Sequence, residues 1–165
     1  MKAIHLLAAG AILLGGCASY DGRGLVPGES TAADVEARMG APTERLKAAD
    51  GDTLLFYSRQ PFGRQMFRAA IAPDGRLRSV EQVLTEANVA KIVPGETTRA
   101  RLREMFGPPY ESSTFERMQR EAWTWTIYNI NQFEFTLNVQ MSPDGIVREV
   151  IMVKDYNKEP GGAKD

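Results

Sequence analysis

"LVPGESTAADVEARMGAP" occupies residues 25–42 and "IVPGETTRARLREMFGPP" occupies residues 92–109. Laid on one another without a gap, the two stretches agree at 8 of 18 positions. The shared residues are Val26/Val93, Pro27/Pro94, Gly28/Gly95, Glu29/Glu96, Thr31/Thr98, Ala33/Ala100, Gly40/Gly107 and Pro42/Pro109. A second pair follows: IAPDGRLRSVEQV (71–83) matches MSPDGIVREVIMV (141–153), three residues further out of step. The chain therefore holds one supersecondary unit twice, with about three extra residues inside the second copy.

The repeated residues dictate local structure. Pro-Gly punctuates a turn. Thr31 and Thr98 are placed as N-caps, whose side-chain oxygens accept orphan backbone N–H groups. Val35 and Met39, like Leu102 and Phe106, are four apart and share a helical face. Gly40 and Gly107 suit the left-handed C′ position after a helix, and Pro42 and Pro109 stop continuation. The spacing predicts helices over 31–39 and 98–106. TEANVAKI (85–92) predicts an earlier helix in the second unit, opened by Thr85. The first unit has ASYDGRG in that place, which reads as a tether.

Strands follow. Phe133, Phe135, Leu137, Val139 and Met141 alternate with Glu134, Thr136, Asn138 and Gln140, the pattern of a half-buried strand over 133–141. Pro-Asp-Gly at 73–75 and 143–145 predicts hairpin turns, with strands at 76–84 and 146–154 after them and leading strands at 53–59 and 121–129. The fold class is α+β: two tandem ααβββ-like units, each with short helices packed on a three-stranded antiparallel meander. The units run over 25–84 and 85–156. Each is small for a core of its own, so the two are expected to pack together. The tail, 157–165, reads as disordered.

The N-terminus has a different character. Lys2 precedes an apolar run, IHLLAAGAILL (4–14), then Gly15 and Gly16. That is the order of a secretory signal peptide over 1–16. Leu14-Gly15-Gly16-Cys17 resembles the bacterial lipobox. The resemblance implies that Cys17 is thioether-linked to diacylglycerol, becomes the first mature residue and is N-acylated. Ordinary signal cleavage and a buried cysteine are the alternatives. Cys17 is the only cysteine in the chain, so no internal disulfide forms. Residues 17–24 then make a lipid-anchored tether. Ala18 at the second mature position, rather than Asp, resembles lipoproteins forwarded to the outer membrane.

Composition narrows the function. The only histidine, His5, lies in the signal segment, so its removal takes away every imidazole. Ser-His-Asp, Cys-His and most zinc chemistries are then unavailable, and no catalytic residue or metal ligand is assigned. A formal charge of −1 over 165 residues argues against general electrostatic binding of nucleic acid. No stretch after residue 16 approaches the length of a membrane helix. Asp50-Gly-Asp52 lacks the rest of a calcium loop and reads as a turn.

With its helix, Gly-x-Thr turn, second helix, Gly-x-Pro and strand bearing Trp123 and Trp125, the second unit resembles the SmpA/OmlA, or BamE-type, family of small outer-membrane lipoproteins. The first unit matches from Val26 onward, with Phe56-Tyr57 where the tryptophan would sit. The resemblance implies an ααβββ fold and a lipid anchor on the periplasmic side of the outer membrane. It also implies a non-enzymatic accessory role in β-barrel assembly, through binding other envelope or machinery proteins. This chain carries two units where the typical member has one. Tandem copies are similar to the β-lactamase inhibitory proteins, whose joined sheets grip an enzyme, so a periplasm-facing inhibitor is the alternative.

The candidate partner- or lipid-binding residues are Tyr128, Trp123, Trp125, Arg99 and Arg103. Eight of the 14 aromatic residues fall after residue 109. Trp123 and Trp125 share a strand face, so at least one is expected in the core; Tyr128, on the other face, is the better surface candidate. Arg99 and Arg103 share a helical face, which serves lipid headgroups or an acidic partner, or is simply a solvated face. The segment 111–121 reads as either an extended hairpin or a binding loop. IVREVIMV (146–153) is apolar on both faces, so either the first unit or a partner covers the second face, with the first unit the expected cover.

Overall fold

The structure is a computed structural model that describes residues 21–128, 131 and 133–154. The signal segment, Cys17, Tyr156 and the tail over 157–165 lie outside the described residues.

Each predicted helix starts one residue after its threonine. Helix α1 spans Ala32–Met39, and the Thr31 side chain accepts from the N–H of Asp34 while Asp34 accepts from the N–H of Thr31, a reciprocal capping box. Four strands follow: β1 (Glu44–Lys47), β2 (Thr53–Ser58), β3 (Met66–Ile71) and β4 (Leu77–Gln82). The second unit opens with α2, a single turn over Glu86–Val89 capped by Thr85, and α3 (Arg99–Phe106), capped by Thr98. Its strands are β5 (Glu111–Phe115), β6 (Arg120–Tyr128), β7 (Glu134–Met141) and β8 (Val147–Lys154). A 3-10 turn over Glu116–Met118 joins β5 to β6, so the 111–121 segment is a hairpin.

Each sheet is an antiparallel meander of four strands, in the orders β1-β2-β3-β4 and β5-β6-β7-β8. The expectation of three was one strand short in both units. The missing strands are polar or charged, ERLK and ESSTF, and lie at sheet edges, so they bury too little to show a periodic apolar pattern. The Pro-Asp-Gly turns do join β3 to β4 and β7 to β8, with Gly75 and Gly145 at positive φ.

The sheets neither join nor lie side by side: they stack with a helix between them. On one face of the first sheet, Leu55, Tyr57, Ala69 and Ile71 pack on Val35 and Met39 of α1. On its other face, Leu54, Phe56, Met66 and Ala70 share a core with Leu102, Met105 and Phe106 of α3. The same core takes in Trp123, Trp125, Ile127, Leu137, Val139 and Met141 from the second sheet. The layers run α1, first sheet, α2 with α3, second sheet.

The repeat registers this difference one residue at a time. Position 38 is Arg in α1 and exposed; its counterpart in α3, Met105, is buried. Leu54, Phe56, Met66 and Ala70 correspond to Ala122, Thr124, Thr136 and Gln140, so the outer face of the second sheet is mostly polar and the stack ends there. Ile151 and Val153 pair with Asn138 and Thr136 on that outer face, and Val153 is 55% exposed. The first unit therefore does not cover the second face of β8. It reaches the opposite face, where Val150 and Met152 pack against the shared core.

Candidate partner-binding surfaces

Arg99 and Arg103 project from α3 beside a cleft of about 690 Å³, lined also by Leu46, Lys47, Trp123 and Asp144. The cleft lies where the first unit's edge strand meets the second unit's helix. Arg103 donates through Nε and Nη2 to Glu44 Oε1, at 3.1 and 2.9 Å, and its guanidinium stands 5.4 Å from the Trp123 ring centroid. Arg99 Nη2 lies 2.6 Å from Glu121 Oε2, whose other oxygen accepts from Trp123 Nε1 at 2.7 Å. Both cations, candidates for headgroup or partner contacts, are thus paired with carboxylates within the protein. Arg103 ties the two units together, and Arg99 ties α3 to β6.

The tryptophans are core residues. Trp125 is fully buried, donates Nε1–H to the Pro108 carbonyl at 3.1 Å and packs on Phe106 with ring centroids 5.7 Å apart. Trp123 retains 8% exposure and meets Trp125 edge-on. Burial of both indoles against α3 explains why the alternation places them on one face.

Tyr128 is half-buried, and it is not alone. Its hydroxyl donates to Glu134 Oε2 at 2.7 Å, and the Arg64 guanidinium lies 4.3 Å from its ring centroid. Arg64 Nε also lies 3.3 Å from Glu134 Oε2. A second cleft, about 430 Å³, opens here between Arg59, Arg64, Gln82, Leu84 and Tyr128. The β2–β3 loop that supplies Arg64 also supplies Gln60, whose side-chain amide donates to the Thr126 carbonyl and accepts from the Thr126 N–H. One side-chain amide thus occupies the edge of β6 beyond the end of β5. At the loop tip, Phe62 is fully exposed.

Sequence reasoning missed Gln60, Arg64 and Glu44, all of which act across the unit boundary. No periodic signal could have found them, because a polar residue in a loop or edge strand looks the same whether it faces water or a neighbouring unit. Asp50 and Asp52 do form the expected turn: Asp52 N–H donates to Asp50 Oδ1, and the buried Asp52 carboxylate takes a two-pronged contact from Arg78 at 2.8 and 2.9 Å.

Among the described residues, no group of three His, Cys, Asp or Glu side chains is placed to hold a metal, and no helix is long and apolar enough to cross a membrane. The architecture defines the chain as an α+β protein of two stacked helix-and-meander units. Comparison with protein-family models, with curated proteins and with solved structures gave no match.

Proposed function

We propose that the chain is a lipoprotein of the outer membrane, anchored on the periplasmic side through Cys17. It acts by binding, without catalysis, as an accessory in β-barrel assembly or envelope integrity. The observation that carries the reading is Leu14-Gly15-Gly16-Cys17 behind an apolar run, followed almost at once by folded protein. Gly22 is already buried against Val80, and the Leu25 N–H donates to the Gly22 carbonyl at 3.0 Å. Five residue steps separate Cys17 from Gly22 and span at most ~18 Å. An anchor at Cys17 therefore holds the first unit at the bilayer surface and leaves the second unit facing the periplasm.

The reading needs no cofactor beyond the diacylglycerol and N-acyl chains on Cys17, and its partners are the bilayer and other envelope or barrel-assembly proteins, not nucleic acid. The inhibitor alternative drew on joined sheets, whereas these sheets stack with α3 between them. Membrane fractionation of a Cys17→Ala chain tests the anchor: release into the periplasm or stalling as precursor is expected, and unchanged fractionation sinks it. Crosslinked pull-down from outer membranes tests the role. Barrel-assembly subunits support it; recovery of one soluble enzyme turns the assignment to the inhibitor.

A further inference from the structure

We propose that β5 is the edge by which two copies of this chain pair. They meet antiparallel across a twofold axis at Ser113, so that two four-stranded sheets become one of eight. Membrane placement in the argument rests on the lipid-anchored reading; the pairing itself rests on β5.

An edge strand offers a row of unpaired backbone N–H and C=O groups, and folded proteins usually blunt such edges with charge, brevity or a covering segment. The other edges show these devices. β1 is four residues long and carries Glu44, Arg45 and Lys47, with Glu44 and Arg45 in ion pairs. The start of β4 is bonded to the Gly28–Ser30 loop at Leu77, and the start of β8 to the Gly95–Thr97 loop at Val147. β8 then presents Arg148 and Glu149 to any added strand. β5 is the least protected of the four, with Glu111 at its end as its one charge. Its central residues are Ser112, Ser113 and Thr114, and four of its five residues are exposed.

The strand complements itself. Centring the antiparallel pair on Ser113 sets Ser112 opposite Thr114 of the second copy, a favourable hydroxyl pair, and Ser113 opposite Ser113. Glu111 falls opposite Phe115 of the second copy. In each copy Phe115 pairs with Arg120 of β6, so Glu111 faces Arg120 of the other chain across the Phe115 ring. No like charges meet. The arrangement covers Phe115, which is 45% exposed in the single chain, and brings Tyr110 towards the other copy's 116–118 turn, where Met118 is 59% exposed.

Orientation agrees with a shared bilayer. The twofold axis of an antiparallel pair within one sheet runs normal to that sheet, so both copies turn α1 to the same side. Gly22 lies over Val80, which packs in the α1-facing core of the first sheet. Both Cys17 anchors then reach one membrane. A contact of five residues per copy is below the ~1,000 Å² of a stable soluble dimer. Confinement to one surface supplies the missing effective concentration.

The test uses the full-length chain in the cell envelope. Ser113→Cys is expected to give a reducible homodimer on oxidation, well above the unsubstituted chain, while Arg45→Cys on the β1 edge stays monomeric. Adding Glu111→Arg to Ser113→Cys should cut the dimer several-fold, and Arg120→Glu in the same chain should restore it. A Ser113→Cys chain that remains monomeric, or that crosslinks only to other proteins, overturns the pairing. So does a dimer indifferent to the charge swap. Fractionation of the same samples reports on the anchor separately, so the two readings fail independently.

Discussion

Gly107, the residue that ends α3, faces the ring of Phe56 from the other unit so closely that a β-carbon there would come within 2.5 Å of Cδ1. It also holds φ at +69°. Its counterpart Gly40, at φ +85°, has nothing within 4 Å of the same position. The repeat thus uses one glycine for backbone freedom alone and the other for freedom and close packing. Gly40→Ala should cost ~1–3 kcal/mol, because φ +85° with ψ −169° is a backbone conformation essentially confined to glycine. Gly107→Ala should cost distinctly more, because the Phe56 ring must also shift within a filled core. Urea unfolding of both variants checks the order; equal losses would mean that Phe56 gives way freely.

Met105 stands in α3 where α1 has Arg38. Met105→Arg, which restores the α1 residue, places an unpaired cation in the shared core and should destabilise by ~3 kcal/mol or more. The reciprocal change, Arg38→Met on exposed α1, should stay within ~0.5 kcal/mol. Thermal melts of the two variants read the asymmetry directly.

Gln60 is expected to clasp the units rather than to stabilise its own hairpin. Gln60→Ala removes both hydrogen bonds to Thr126 and should cost ~1–2 kcal/mol. Hydrogen exchange at the Thr126 amide should rise first, before the central strands of the first sheet are affected. Exchange rising first in β2 would place the role of Gln60 within its own unit.

Tyr57 is 1% exposed, and its hydroxyl has no protein hydrogen-bond partner. Burial, with the Glu36 carboxylate adding to it, pushes the phenol up to about 12. The folded pKa lies above the unfolded value near 10, so the contribution is fully present below pH 10 and is lost as pH rises to about 12. The loss is at most ~2–3 kcal/mol. Tyr57→Phe should flatten that alkaline decline and leave the protein as stable or ~1 kcal/mol more stable at pH 7, since no bond is lost. A lower stability at pH 7 would reveal a bridging water.

Asp34 works in the opposite direction. Hydrogen bonds from the Thr31 backbone and side chain hold its carboxyl below the usual aspartate value. Its contribution is present above the unfolded pKa and fades as pH falls through the lower folded one. Asp34→Asn should therefore lower stability at pH 7 and match the unsubstituted chain in strong acid. Denaturant midpoints across that range measure the convergence.

Much of the local structure was readable in the residues. Threonine caps, Gly-x-Pro stops and Pro-Asp-Gly turns each act through their own backbone, so 31–42 and 98–109 announce helix and stop without reference to anything distant. The 133–141 alternation likewise fixed the faces of β7. Of the candidate site residues, Tyr128, Arg99 and Arg103 are all half-buried. Trp123, Trp125, Arg99 and Arg103 are taken up by α3 and its neighbours, which spacing alone could not reveal. The edge strands β1 and β5 were missed because an edge buries little and so carries no apolar period.

By itself, then, the sequence determined the α+β class, the two threonine-capped helices and the Pro-Asp-Gly hairpin turns, because those depend on φ, caps and local periodicity. Only the tertiary structure decided that the sheets stack around α3, that Arg103 joins the two units while Arg99 stays within the second, and that β5 lies exposed at a sheet edge. Those outcomes depend on which buried faces find each other. Two stretches with the same local pattern diverge once Met105 meets the first sheet and Arg38 meets water.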